Sequence, residues 1–327
     1  MNLTFYMLSM LCIVSMPCIV LSYNGPNFSR GISKSAIKNW FINRAIKKGI
    51  PWDQIVNKRK EEFKKLEIIK NDIENINIEY PNYYTKPFHG YDYGNLNWEC
   101  AQEGEPATLS ISSDYWEDVD PYTSASWVRN NITERLENYI TFRESYLFRD
   151  ILDYNSNILD LGCSVGISTE YLKNKYQWSN VEGMDLSPYF LSIARSRSME
   201  KDIDIRYIHA NGEDIPRKEN YYDLVTCNFL FHELPSDASR RILDELHRVI
   251  KPYGVLMIAD LDPFLLKEKL KNPFRKWAFD STEPHISEYY ETDMKELLLR
   301  SGFTNIEKQK NDPLNSVWLA SNSKPNL

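Results

Sequence analysis

The sequence predicts an α/β protein built on an open, mostly parallel sheet with helices on both faces. Three observations carry that prediction. Asn157–Thr169 reads as a short apolar strand (Ile158, Leu159, Leu161), a turn holding Gly162 and Gly166, and the first turn of a helix. Apolar runs then alternate with helical runs: strands at Asn180–Asp185, Ile205–Ala210 and Tyr222–Asn228, with a helix at Tyr189–Met199 between the first two. Acidic residues fall where strands end, Asp185 among them, and in open parallel sheets ligands bind outside the carboxyl ends of the strands.

The elements divide the chain into five parts: 1–22, 23–75, 76–150, 151–320 and a tail at 321–327. The overall net charge of −7 conceals a split. Residues 1–60 hold nine Lys or Arg against the single acid Asp53, a net +8, and the remainder is net −15. An acidic body argues against nucleic acid as a partner. Of five cysteines, Cys100, Cys163 and Cys227 are too widely spaced for a disulfide framework or a metal motif, so no metal is expected, and Cys227 reads as a buried strand cysteine.

Leu3–Leu21 is an uncharged apolar run, and Val20-Leu21-Ser22 suits cleavage after Ser22. That is a signal-peptide pattern, with an uncleaved membrane anchor as the rival. The basic, serine-containing, acid-poor stretch that follows has the composition of a transit peptide. A leader in two such parts resembles those of proteins sent to a secondary plastid such as an apicoplast; secretion or membrane anchoring is the alternative. Asp53–Ile73 reads as one charged helix, with Phe63, Leu66 and Ile69 on its apolar side. Residues 81–99 are loop-like but dense in aromatics, so they read as a lid, with His89, Tyr91 and Trp98 as possible pocket residues. A helix follows at Ala125–Arg149, its stripe formed by Trp127, Ile132, Leu136, Tyr139 and Ile140.

The turn after the first strand has the spacing Asp160-x-Gly162-x-Ser164-x-Gly166. A dinucleotide fingerprint wants G-x-G-x-x-G, and an acid two residues before the first glycine would repel a pyrophosphate. The spacing resembles motif I of class I S-adenosylmethionine (AdoMet)-dependent methyltransferases, with Ser164 at the middle glycine. Asn211-Gly212-Glu213-Asp214-Ile215-Pro216 resembles the family's adenine-recognition turn, with Asn211 in place of the usual acid. His247-Arg248-Val249-Ile250-Lys251-Pro252-Tyr253-Gly254, running on to Asp260, resembles its helix–turn–fifth strand, with Tyr253 in place of a glycine.

These motifs look most like the type-11 group, which includes quinone-ring methyltransferases. Phe88-His89-Gly90-Tyr91, Gly94-Asn95-Leu96, Trp98 and the 281–290 stretch also resemble uncharacterised plastid methyltransferases of plants. The resemblance implies a Rossmann-like seven-stranded class I sheet with helices on both faces and an N-terminal helical, aromatic extension.

For the site, it implies that Asp160, Gly162, Cys163 and Gly166 hold the methionine end of AdoMet. Asp185 and Leu186 would lie at the ribose, Asn211, Gly212 and Glu213 at the adenine, and Asn228 nearby. His232 is the candidate catalytic base, since the end of the fourth strand lies near the transferred methyl. Trp277, His285, Tyr289 and Tyr290, in the stretch after the fifth strand, are further pocket candidates. The expected activity is methyl transfer to a small molecule. The alternatives are an AdoMet-binding regulatory or assembly protein without turnover, and a protein methyltransferase.

Overall fold

The computed structural model describes residues 34–322 apart from 88–90, 114, 117, 148–149, 274–275, 277–279, 281–282 and 313. The expected signal peptide at 1–22, with His89 and Trp277, lies outside the described residues.

The glycine turn sits at the centre of a seven-stranded sheet. Its strands are β1 (Asn157–Leu161), β2 (Asn180–Asp185), β3 (Arg206–His209), β4 (Tyr222–Asn228), β5 (Ile250–Leu261), β6 (Phe303–Lys310) and β7 (Asn315–Asn322), in the order β3-β2-β1-β4-β5-β7-β6. The first five run parallel, and β7 turns back antiparallel against β5, with β6 antiparallel on β7. The chain steps from β1 to β3 on one side and then crosses to β4. The carboxyl ends of β1 and β4 therefore flank the switch point where open α/β sheets bind ligands. This is the Rossmann-like sheet that the motifs imply.

Alternation along the strands divides the core between two faces. Ile158, Val181, Leu224, Val255 and Met257 pack under Val128, Ile132, Leu136 and Ile140 of α5 (Pro121–Leu147). Leu159, Leu161, Met184, Val225 and Cys227 pack on the opposite face with Ile242, Leu243 and Leu246 of α8 (Ser236–Val249). The period-2 pattern of β1 dictates this split. Helices α6 (Ile167–Lys175) and α7 (Pro188–Glu200) follow β1 and β2. Ser187 caps α7 by accepting from the Phe190 N–H, and Pro188 stands at its first position. The late helices are α9 (Pro263–Leu270), α10 (Ile286–Glu291) and α11 (Met294–Arg300).

The N-terminal part departs from the sequence reading at one helix and adds another over residues that the sequence reading left unassigned. The charged helix expected at 53–73 is two helices, α2 (Trp52–Glu61) and α3 (Phe63–Ile73), following α1 (Lys34–Lys47). The stretch after the aromatic loop is helical, α4 (Trp98–Ser112), although it carries Gly104 and Pro106. Both residues read locally as helix breakers. Packing accounts for the glycine: a Cβ on Gly104 would stand 3.0 Å from Val165, so the glycine lets α4 lie directly on the turn after β1.

Charge ties these helices to the sheet. Arg197 of α7 is buried, pairs with Glu170 of α6 through two hydrogen bonds of 2.9 and 3.0 Å, and also pairs with Glu105 of α4. Arg59 of α2 reaches Glu200 of α7 at 2.8 Å. The basic residues from Lys58 onward are therefore spent partly on structural ion pairs. Removing one partner of a buried pair leaves an uncompensated charge. We expect Arg197→Met to destabilise the fold by about 3–5 kcal/mol, read as a lowered urea midpoint; a loss below about 1 kcal/mol would show the network to be dispensable.

Candidate AdoMet site

A cavity of about 620 Å³ opens at the carboxyl ends of the strands. Its inner wall is the glycine turn. Gly162, Ser164 and Gly166 all have positive φ, at 72°, 48° and 80°. Serine at a left-handed position is strained where glycine is not. The position itself keeps the geometry a glycine would take, and the Ser164 N–H donates to Asp185 Oδ2 at 2.8 Å.

Gly162, Cys163, Asp185, Leu186, Asn211, Gly212, Asn228 and His232 all line this cavity. Three other residues expected at the ligand are placed behind it. Asp160 is fully buried beneath the turn, accepting from Ser168 Oγ (2.6 Å), Thr169 Oγ1 (2.7 Å), Thr226 Oγ1 (3.0 Å) and Asn228 Nδ2 (3.2 Å). It orders the wall from behind, because its oxygens are already taken by hydroxyls and an amide. Gly166 is a packing glycine: a Cβ there would stand 2.6 Å from the Tyr207 hydroxyl and 2.9 Å from Ala194. Glu213 turns to the aromatic strap, accepting from Tyr83 Oη (2.6 Å) and Arg241 Nε (2.5 Å).

Asp185 is the acid of the cavity wall that stands against the glycine turn; Glu103, Glu233 and Glu283 also line the cavity. Asp185 Oδ1 accepts from the Ser187 N–H at 2.8 Å, so each oxygen is fixed by a backbone donor and keeps a lone pair for a ligand. Burial pushes its carboxyl up to about 6, against the lowering effect of those backbone donors. Asn211 holds its own turn by accepting from the Glu213 N–H at 3.0 Å.

Arg129 of α5 is a site residue that sequence reasoning missed. It lines the cavity and donates from Nη1 to the Ala125 carbonyl at 2.8 Å, while its Nε is buried with no partner. Burial lowers the guanidinium to about 10, with the Asp160 charge opposing that shift, so it stays cationic at neutral pH. The available signal was a lone arginine between Val128 and Ile132 on an apolar helix stripe.

His232 stands in a single 3₁₀ turn, Phe231–Glu233, after β4. Its Nδ1–H donates to Asp260 Oδ1 at 2.7 Å. Asp260 lies near the end of β5, is almost fully buried, and also accepts from the Phe231 N–H (2.8 Å) and the Leu261 N–H (2.7 Å). Burial pushes the imidazole down, but the Asp260 carboxylate and its hydrogen bond outweigh this and lift it to about 9. Asp260 appeared in the sequence only as the end of a strand motif. Its pairing with His232 spans 28 positions and is made by β4 and β5 lying side by side.

The remaining pocket candidates separate. Tyr91 lines the cavity. Trp98 instead packs edge-on to Phe63 and Tyr189. Tyr289 donates to the Leu261 carbonyl at 2.6 Å and lies edge-on to the His232 ring, supporting it from outside. Tyr290 sits under Lys267, and His285 contacts Glu288 and Tyr83. Cys227 is fully buried in β4, where burial pushes its thiol well up.

The donor set fits AdoMet. The half-buried Arg129 guanidinium, its Nε unpartnered, would meet a carboxylate, the twice-anchored Asp185 would meet ribose hydroxyls, and the amide and glycine at 211–212 would meet an adenine edge. Sheet order and site together define a class I AdoMet-dependent methyltransferase domain.

Parts of the chain are similar to known proteins. Residues 158–254 match the family described as "Methyltransferase domain". The ubiquinone biosynthesis O-methyltransferase of Hydrogenovibrio crunogenus is 34% identical over 109 residues, 33% of this chain and 44% of that protein. The demethylmenaquinone methyltransferase of Oceanobacillus iheyensis is 25% identical over 190 residues, 52% of this chain and 79% of that protein. The structure of phosphoethanolamine N-methyltransferase 2 from Haemonchus contortus with S-adenosyl-L-methionine aligns at 15% identity and a TM-score of 0.41, over 54% of this chain and 50% of that one. The match thus spans less than half the length of the Hydrogenovibrio relative.

Two binding predictions follow from this geometry. Asp185→Ala and Arg129→Met should each raise the AdoMet dissociation constant about 10- to 100-fold, measured by calorimetry; unchanged affinity would reject the assigned contact. Protonation removes the charge of Asp185, so AdoMet affinity of the unmodified protein should fall as pH drops through about 6, and a flat profile between pH 5 and 7 (about one unit either side) would contradict this role.

Proposed function

We propose that the chain is an AdoMet-dependent methyltransferase that methylates a hydroxyl group of a small molecule. The observation that carries this reading is the His232–Asp260 pair in the wall of the cavity that also holds Asp185 and Arg129. A protein that only bound AdoMet would have no use for an oriented base at that place. The relatives named for methylation of ubiquinone and menaquinone precursors support a small-molecule acceptor.

When bound, AdoMet supplies a methyl group activated by a positively charged sulfur, which departs as a neutral thioether. The protein's own residues do the remaining work. Asp185, Arg129 and Asn211 would hold the cofactor's polar groups and so fix its position. Asp260 holds the Nδ1–H of His232, which leaves Nε2 as the nitrogen that takes the acceptor's proton. Loss of that proton frees the acceptor oxygen's electron pair for attack on the methyl carbon. Alignment of the two supplies much of the acceleration.

The raised His232 value sets the pH dependence. Only the neutral imidazole is a base, and Asp260 favours the cation up to about pH 9. We expect kcat/KM to rise with pH and level off near 9. In Asp260→Asn the limb should move toward about 6.5, the ordinary histidine value. In His232→Gln it should vanish, with kcat down about 10²- to 10⁴-fold and AdoMet binding retained. A pH–rate profile of the three proteins decides this, and one unaltered by His232→Gln would remove His232 from the reaction. Turnover of AdoMet to S-adenosylhomocysteine with size-filtered extract separates this reading from a binder without turnover and from a protein methyltransferase.

Delivery through the secretory route to a plastid-type organelle remains our proposal for location, supported by the apolar and then basic composition of the N-terminus. A fluorescent fusion of residues 1–75 recovered from the medium would overturn it.

A further inference from the structure

The aromatic strap that joins α3 to α4 is fastened at its near end to one histidine. His209 is the last residue of β3, is buried, and lies in register with Asp185 of β2. Its Nδ1 accepts from the Asn75 N–H at 2.9 Å, and its Nε2 stands 3.1 Å from the Leu186 carbonyl. A backbone N–H can only donate and a carbonyl can only accept. The two contacts therefore fix one tautomer, with the lone pair on Nδ1 and the hydrogen on Nε2. The Tyr80 oxygen, 3.3 Å from Nε2, shares that hydrogen. One neutral imidazole thus joins the start of the strap, just past α3, to the backbone that follows the acid of the cofactor site.

The strap carries this anchor into the cavity. The Tyr84 ring stacks on Tyr80, with centroids 6.2 Å apart and planes at 8°. Tyr84 and Leu186 both line the cavity with Asp185. The charged groups around the ring come from three elements. Lys70 and Glu74 stand at the end of α3 and pair with each other at 2.5 Å, Asp185 is the neighbour on β2, and Lys70 also lies over the Tyr189 ring of α7. Burial pushes the imidazole down most strongly; the Leu186 bond and Glu74 oppose this, and Lys70 adds to it. A second proton has to enter at Nδ1, where it would point at the Asn75 N–H. Two donors cannot share one contact, so a protonated ring and a latched strap exclude each other.

We propose that His209 is a positioning residue of the cofactor site: its neutral ring latches the strap over the cavity, and a proton taken up at Nδ1 releases residues 74–84, Tyr84 with them. The latch stands on its own contacts, and its bearing on AdoMet rests on the methyl-transfer reading. In the released strap the ring meets water and titrates near the ordinary value of about 6.5; in the latched strap it titrates lower. Latching is therefore complete above about pH 6.5 and is lost as pH falls through the latched ring's lower value.

The test is hydrogen–deuterium exchange of residues 74–87 in the full chain, each rate referred to the unprotected rate at the same pH. From about pH 7.5 to about pH 5.5, protection should fall about tenfold, the factor given by one unit below the free histidine value. In His209→Asn the amide oxygen stands in for Nδ1 and does not titrate, so the fall should vanish while Asp185 still titrates. Level protection in the unmodified protein, or an equal fall in His209→Asn, overturns the proposal. Nitrogen NMR of the histidine-labelled chain, which has five histidines, should show the His209 ring as the Nε2–H tautomer, titrating together with the loss of protection; an Nδ1–H ring there also overturns it. Saturating S-adenosylhomocysteine, held beneath the strap, should move the His209 midpoint lower by reciprocal linkage. Binding without that shift overturns the role at the cofactor site, whereas failure of the folded protein to bind leaves the latch standing and overturns the transferase reading.

Discussion

The site depends on one buried carboxylate. Asp160 is fully buried and is held by three hydroxyls and an amide drawn from the start of α6 and the end of β4. Burying such a group is costly unless its acceptor capacity is met. Meeting that demand requires Ser168 and Thr169 to point back toward β1 and requires β4 to lie beside it. The same bonds fix the glycine turn between them, with Ser164 presented to Asp185. The cavity wall is therefore assembled by satisfying a group that never faces the ligand.

A second layer of order comes from the N-terminal helices. They cover the open side of the cavity, and buried ion pairs linking Glu105, Glu170 and Arg197 lock α4 to α6 and α7. Breaking such a network costs more than forming it contributes, so it favours one arrangement over near alternatives. The aromatic strap is fastened in the same way: Tyr83 bonds to Glu213 and Tyr91 bonds to Glu103. The strap and α4 cover the carboxyl ends of the central strands, where charges withdrawn from water interact more strongly. Against that burial, the Asp260 carboxylate and its hydrogen bond hold His232 as a cation well above its ordinary range.

Two strained backbone positions fall in the cavity wall. Ser164, Phe229 and Tyr253 are non-glycine residues with positive φ. Ser164 and Phe229 line the cavity. Tyr253 stands in β5, where a glycine is usual in the resembled family. Such strain persists only where the surrounding contacts over-determine the backbone.

The sequence by itself determined the strands and the helices between them, because each strand carries its own apolar period and each crossover helix its own stripe and caps. It also determined the glycine turn and the acid after β2, since spacing along one short segment is local information. Only the tertiary structure decided which acids face the ligand. Asp160 and Asp185 look alike in sequence, yet one is surrounded by hydroxyls and the other opens to the cavity. Likewise α4 was hidden by Gly104 and Pro106, and the fitness of the glycine there comes from a contact with Val165 far along the chain. The Arg129 position and the His232–Asp260 pair were hidden for the same reason: a side chain's role depends on what stands opposite it, and neighbours across a sheet or between helices leave no mark in local periodicity.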